Sequence, residues 1–305
     1  MKMALSILFS LACLFAGAQN KKITMQTADS LFSAQRWSEA IMAYEKVLKS
    51  EPGTALSWNR LAFSYHNLSN YDKALENYQK SLTLKPAPAL EIIIQSRMMR
   101  VYAVKSELDK SFASLDRALA LGYTNLSELD EHKELANIRK DSRFKDYRQR
   151  AYLNAYPCMG NAQARQFDFW VGEWDAYVTG TNNLAGHSKI EMASGGCMIL
   201  ENWTSVGGPY NGKSMNFVDP ASGKWKQVWV GSNGLNASEF INGEYREDAM
   251  RFECEITNPQ GAKSLVHFYF FNQGPDQVRQ FHETSSDGGK TWVTTYDFTY
   301  KRKKA

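Results

Sequence analysis

Long apolar runs are what this sequence has least of. After the first 18 residues no stretch is long and apolar enough to cross a bilayer, which excludes a multi-span membrane protein. A dominant charge is missing too. The 36 Lys and Arg against 32 Asp and Glu leave +4 over 305 residues, and the Lys301, Arg302, Lys303, Lys304 run reads as a solvated tail, so no nucleic-acid partner is expected. Cysteine is scarce, and its four copies show neither a C-x-x-C pair nor a zinc spacing. There is no paired His or His/carboxylate spacing, no G-x-S-x-G, no phosphate-binding loop and no dinucleotide fingerprint, which sets aside the common metal, serine-hydrolase and nucleotide classes. What is present is a 43% hydrophobic, 13% aromatic chain, too apolar for disorder and long enough for about two domains.

The one apolar run lies at the start. Lys2 precedes Ala4 to Phe15, and the small residues Ala16-Gly17-Ala18 follow where a signal peptidase would cut, so residues 1–18 read as a signal peptide. The expected destination is the periplasm or the exterior. Cys13 after Ser10-Leu11-Ala12 offers the alternative of a lipid-anchored form. Export would leave Cys158, Cys197 and Cys254 in an oxidising compartment. They read either as small buried hydrophobes or as a Cys197–Cys254 bridge with one cysteine over.

Between about residues 22 and 150 the sequence repeats. Trp37-Ser38-Glu39-Ala40 with Tyr44 and Pro52 recurs, 34 residues on, as Tyr71-Asp72-Lys73-Ala74 with Tyr78 and Pro86. Trp58, Leu61, Ala62 and Tyr65 occupy the helix before the second copy. A looser third copy, displaced by 37, carries Tyr102, Leu108-Asp109-Lys110-Ser111, Leu115 and Ala118. This set resembles the tetratricopeptide repeat. In it Ala40 and Ala74 are small where paired helices touch, Tyr44 and Tyr78 fill the groove against the next hairpin, and Pro52 and Pro86 are expected to end the second helices. Leu126 to Tyr147 has the spacing of a closing helix. Such a solenoid implies a concave surface for a protein or peptide partner, and its mixed charges argue against a strongly charged one.

A change of period near Pro157-Cys158-Met159-Gly160 marks a linker over 151–164 and a second domain over 165–305. Ten short candidate strands, the last being Thr291 to Tyr300, alternate with turns rich in Gly, Asn, Asp and Pro. The expected fold class is therefore α+β and multidomain: a helical solenoid followed by an antiparallel up-and-down barrel of 8–10 strands.

Phe167-Asp168-Phe169-Trp170-Val171-Gly172-Glu173-Trp174 opens this half and resembles the start of calycin barrels, the superfamily of lipocalins and fatty-acid-binding proteins. Together with Gly196-Cys197, Glu201-Asn202-Trp203, Gly212-Lys213-Ser214 and Ser286 to Trp292, it is similar to a family of uncharacterised bacterial domains. The resemblance implies a lipocalin-like barrel in which Gly172 and Trp174 close one end and Arg302 covers the indole. It carries no activity with it.

Alternation then sorts residues by face. Cys197, Ile199, Glu201 and Trp203 share one, as do Trp225, Gln227 and Trp229, then Val278, Gln280 and His282, then Trp292, Tyr296, Phe298 and Tyr300. Aromatic walls with a few polar groups suit a small apolar or amphipathic ligand, so Glu201, Trp203, Trp225, Gln227, Trp229 and His282 are the candidate binding residues. The alternatives are that Glu201 and Gln227 face solvent or satisfy each other, that Glu201 with His282 catalyses a reaction as acid or base, or that the whole chain is a protein-contact module. His187, His267 and His282 lie in or near strands, but no second feature supports haem, and no cofactor is expected.

Overall fold

Small residues at fixed spacing let helices pair closely, and the first half of the chain is built on that. The computed structural model describes residues 23–234, 237–258 and 261–304. The expected signal peptide and Cys13 lie outside the described residues. Three helical hairpins follow one another: α1 (Met25–Ser33) with α2 (Trp37–Leu48), α3 (Ala55–Asn67) with α4 (Tyr71–Thr83), and α5 (Pro88–Val104) with α6 (Leu108–Ala120). Each turns through one residue in the left-handed region, Gln35, Ser69 and Ser106, with φ of 55°, 57° and 59°. The next amide then donates back across the turn, Arg36 to Leu31, Asn70 to Tyr65 and Glu107 to Tyr102.

Ala40, Tyr44, Ala74 and Tyr78 are fully buried, while Trp58 is half-buried against the same cluster. In the third hairpin Ser111 takes the small position and its hydroxyl donates to the Met99 carbonyl at 2.8 Å. Leu115 takes the tyrosine position. Two expectations are corrected. Pro52 and Pro86 do not end the helices: α2 stops at Leu48 and α4 at Thr83, Lys85 with φ 50° has already left helical space, and both prolines sit in the connections. The closing segment is not one helix either. It is α7 (Leu126–Glu131), two 3-10 turns (Lys133–Leu135 and Ile138–Lys140) and the start of α8 (Phe144–Ala155). Arg139 explains the break, because its Nη1 donates to the carbonyls of Leu129 and His132 at 3.1 and 2.9 Å and so caps the end of α7. Leu129, Leu135 and Ile138 are fully buried all the same.

The chain divides into two compact units, one made of the described residues up to Tyr123 with Ser127–Tyr147, the other of Thr124–Leu126 and the chain from Arg148 onward. Residues 151–164 carry the end of α8 and the 3-10 turns Pro157–Gly160 and Gln163–Arg165.

The second unit is a β-meander. Its strands are β1 (Gly172–Val178), β2 (Leu184–Ala193), β3 (Met198–Ser205), β4 (Asn211–Asp219), β5 (Lys224–Gly231), β6 (Ala237–Arg246), β7 (Ala249–Thr257), β8 (Lys263–Asn272), β9 (Gln277–Ser285) and β10 (Val293–Arg302). Each pairs antiparallel with the next, and β10 returns to β1, so the ten strands close a barrel. The architecture is thus helical repeats followed by a closed antiparallel barrel, the α+β arrangement expected from sequence.

One end of the barrel is filled with rings. Phe167 and Trp170 stack at 5.0 Å, Trp170 packs on Phe270, and Trp174 donates its indole N–H to the Trp170 carbonyl at 2.9 Å. The Arg302 guanidinium lies 4.2 Å from the Trp174 ring centroid and donates to the Val171 carbonyl at 3.1 Å. Gly172 is required beneath it: φ is 146°, and a Cβ there would come within 2.0 Å of Arg302 Nη1.

The cysteine expectation is corrected as well. Cys158 bonds Cys197, with Cα atoms 5.1 Å apart, and tethers the segment ahead of the barrel to the turn between β2 and β3. Cys197 precedes β3 in that turn, whereas Cys254 sits buried and free in β7, four strands away around the sheet. Trp292 is corrected too. It precedes β10, and a register shift between Thr294 and Tyr296 turns only the later residues inward. Trp292 stacks instead on His267, at 3.8 Å, whose Nδ1 lies 2.9 Å from Glu283.

Candidate functional site

Alternation along β3 turns Ile199, Glu201 and Trp203 inward, and the ladder sets Glu201 between Ile190 of β2 and Ser214 of β4. Glu201 is 2% exposed. Ser188 donates to its Oε1 and Ser214 to its Oε2, each at 2.9 Å. From Ser214 the network continues. Asn216 Nδ2 donates to the Ser214 hydroxyl at 3.0 Å and to the Ile199 carbonyl at 3.1 Å, and Gln227 Nε2 donates to Asn216 Oδ1 at 2.6 Å. Glu201 and Gln227 are therefore linked inside the barrel, through two residues rather than directly. Burial raises the Glu201 carboxyl to about 7, outweighing the serine hydrogen bonds that favour the anion.

Across the interior stands His282 of β9, 6% exposed. Its ring stacks on Tyr296 at 4.9 Å and meets Phe240 and Phe268 edge-on at 5.8 and 5.3 Å. Nδ1 is buried without a hydrogen-bond partner among the described residues. Burial among these rings drops the imidazole to about 4, so it is neutral at physiological pH. Tyr300 donates to Gln280 Oε1 at 2.8 Å, and burial with Glu201 nearby pushes the Tyr296 and Tyr300 phenols upward.

These groups border a cavity of about 450 Å³ in the barrel. Glu201, Gln227, Gln280 and His282 stand among its polar groups with the hydroxyls of Ser205, Ser238 and three tyrosines, and Trp203, Tyr210, Trp229, Tyr296, Phe298 and Tyr300 form much of its wall. Glycines make room for the two indoles: a Cβ on Gly186 would lie 2.5 Å from Trp203, and one on Gly212 would lie 2.3 Å from Trp229. Trp203 Nε1 donates to Ser205 and Trp229 Nε1 to Tyr210.

Five of the six candidate binding residues, Glu201, Trp203, Gln227, Trp229 and His282, thus line one cavity. Trp225 does not, and this corrects the sequence expectation. It sits at the filled end, packed edge-on against Phe167 at 5.7 Å with its indole N–H on Gln166, because it begins β5 at the turn that end contains. His187 and His267 lie away from the cavity, paired with Asp175 and Glu283. Sequence reasoning missed Ser188, Ser214 and Asn216. Their signal was Ser214 and Asn216 at alternate positions of β4 with Ser188 on β2, which identifies an inward polar seam only once the register is known.

Among the described residues no three His, Cys, Asp or Glu side chains group as metal ligands, and no helix is long and apolar enough to cross a membrane. The tetratricopeptide-repeat family model matches residues 55–88, the stretch that holds α3 and α4. A repeat of this type suggests interaction with proteins. No curated protein matches the chain.

Proposed function

We propose that the barrel is a binding compartment for a small, partly polar molecule and that the helical hairpins dock a protein or peptide. The observation that carries the first half is the 450 Å³ cavity, walled by aromatic rings and bordered by a satisfied polar network. Apolar walls supply affinity and a few fixed polar groups supply orientation. The second half rests on the match over 55–88 and on the hairpins flanking it. Binding is favoured over acid–base catalysis because both Glu201 oxygens already accept serine hydroxyls, which suits a fixed acceptor better than a proton carrier. Lipocalin-like identity is supported by the meander topology and by the Trp174–Arg302 contact. Export by a signal peptide over 1–18, to the periplasm or the exterior, is supported by a disulfide that an oxidising compartment would preserve.

Native mass spectrometry of the gently purified protein, compared with the same sample denatured, tests the compartment. The expected result is an added mass that is lost on denaturation and does not return to a Glu201→Gln, Gln227→Leu variant. A bare mass that takes up no lipid, haem or aromatic compound would defeat the proposal and leave the barrel a scaffold.

A further inference from the structure

We propose that the barrel selects planar molecules that carry a hydrogen-bond acceptor and no negative charge, and that it rejects anionic amphiphiles such as fatty acids. This rests on the reading of the barrel as a small-molecule compartment and narrows the occupant.

The charge rule follows from what borders the cavity. Among the described residues no lysine or arginine lines it. An entering carboxylate or phosphate would give up its hydration with no counter-charge to replace it. Glu201, the acidic neighbour among the described residues, already accepts from Ser188 and Ser214, and above its raised pKa of about 7 it repels an anion rather than pairing with it. The imidazole among its described lining residues, His282, stays neutral down to about pH 4 and supplies no positive charge.

The acceptor rule follows from His282. Its buried nitrogen is Nδ1, so Nε2 is the nitrogen presented toward the cavity. A neutral imidazole carries one proton, and an unpaired N–H in an apolar wall costs more than an unpaired lone pair. The proton therefore resides on Nε2, which becomes a donor awaiting a carbonyl or ether oxygen. Planarity follows from the wall itself. His282 and Tyr296 are within 14° of parallel, Tyr296 and Phe298 within 16°, and Phe298 and Trp203 within 18°, so each of four rings in a row along the cavity lies nearly parallel to its neighbour.

Three naphthalene probes matched in size test this on the full chain at pH 8, by quenching of tryptophan emission. They are 6-propionyl-2-dimethylaminonaphthalene, which is neutral and bears a carbonyl, 6-propyl-2-dimethylaminonaphthalene, in which a methylene replaces that carbonyl, and 6-dimethylamino-2-naphthoate, which is anionic. The neutral ketone should bind about tenfold tighter than the carbonyl-free compound and about a hundredfold tighter than the naphthoate, as one hydrogen bond and one unpaired buried charge require. His282→Phe keeps the ring and should reduce the carbonyl preference, and an unchanged preference would overturn the assignment of the donor to His282. Should that variant not fold, the ranking on the natural chain decides alone. Equal binding of ketone and carbonyl-free compound overturns the acceptor rule, and equal binding of ketone and naphthoate overturns the charge rule. Binding of none of the three, together with a bare native mass, overturns the compartment itself.

Discussion

Glu201 and His282 border one cavity with their titrations displaced in opposite directions: burial holds the carboxyl up to about 7 and the imidazole down to about 4. Both shifts disfavour charge in the same apolar space. Their effects on stability oppose each other.

The sign differs for the two groups. Between 4.5 and about 7 folded Glu201 keeps a proton that the unfolded chain has lost, so stability falls as pH rises through that window. Between about 4 and 6.5 the unfolded chain protonates His282 and the folded chain does not, so stability rises with pH. In the overlap the two slopes offset one another. Glu201→Gln should therefore unmask a rise of about 2–3 kcal/mol from pH 4 to 6.5, and His282→Phe a fall of similar size from pH 4.5 to 7. Urea unfolding at half-unit pH steps reads both, and variants whose profiles run parallel to the natural one would refute the coupling.

The glycines behind the two indoles differ in what they face. A Cβ at residue 186 would meet the Thr204 carbonyl at 2.6 Å as well as Trp203, and backbone cannot step aside. Gly186→Ala should cost about 1–3 kcal/mol in urea unfolding. At Gly212 the three nearest atoms all belong to the Trp229 ring, which can turn. Gly212→Ala should keep most of the stability while shifting tryptophan emission and weakening probe binding. Unchanged emission would show that Trp229 does not yield.

The Cys158–Cys197 bond closes 39 residues of chain. Chain entropy assigns a loop of that length about 4 kcal/mol, so Cys158→Ser, Cys197→Ser and reduction should each lower stability by about 3–4 kcal/mol. Non-reducing peptide mapping should find residues 158 and 197 in one cross-linked species, with Cys254 alkylated only after unfolding. A cross-link that includes Cys254 would refute the pairing.

At the filled end, Arg302→Met removes the cation over Trp174 and the hydrogen bonds to Val171 and Pro275. A loss of about 1–3 kcal/mol is expected. Gly172→Ala should be costly on the natural background and less so beside Arg302→Met, because the guanidinium is what the new methyl strikes while the strain of a φ of 146° persists. Strict additivity in the double-mutant cycle would contradict that contact.

Much of this molecule was legible residue by residue. The 34-residue recurrence of Ala40 and Tyr44 as Ala74 and Tyr78 reports helix pairing directly, since a hairpin can bury only what its spacing puts on the shared face. Each of the ten strands overlaps a segment that alternation and turn residues mark, with ends that differ by up to five residues, and Gly172-x-Trp174 marks the end that Arg302 covers. The errors share one cause. Trp292 and Trp225 have inward parity within their own segments, yet a bulge sends one outside and its distance from the cavity removes the other. Cys254 has the right face but stands too far around the sheet from Cys197.

The sequence by itself determined the two periods, the alternation of faces and the residues able to be buried, because each depends on neighbours within a few positions along the chain. Only the tertiary structure decided that Ser188, Ser214 and Asn216 surround Glu201, that Cys158 rather than Cys254 meets Cys197, and that His282 opposes Glu201 across an open cavity. Those relations depend on the register between neighbouring strands and on barrel closure by the β1–β10 pairing, neither of which alternation within a single segment specifies.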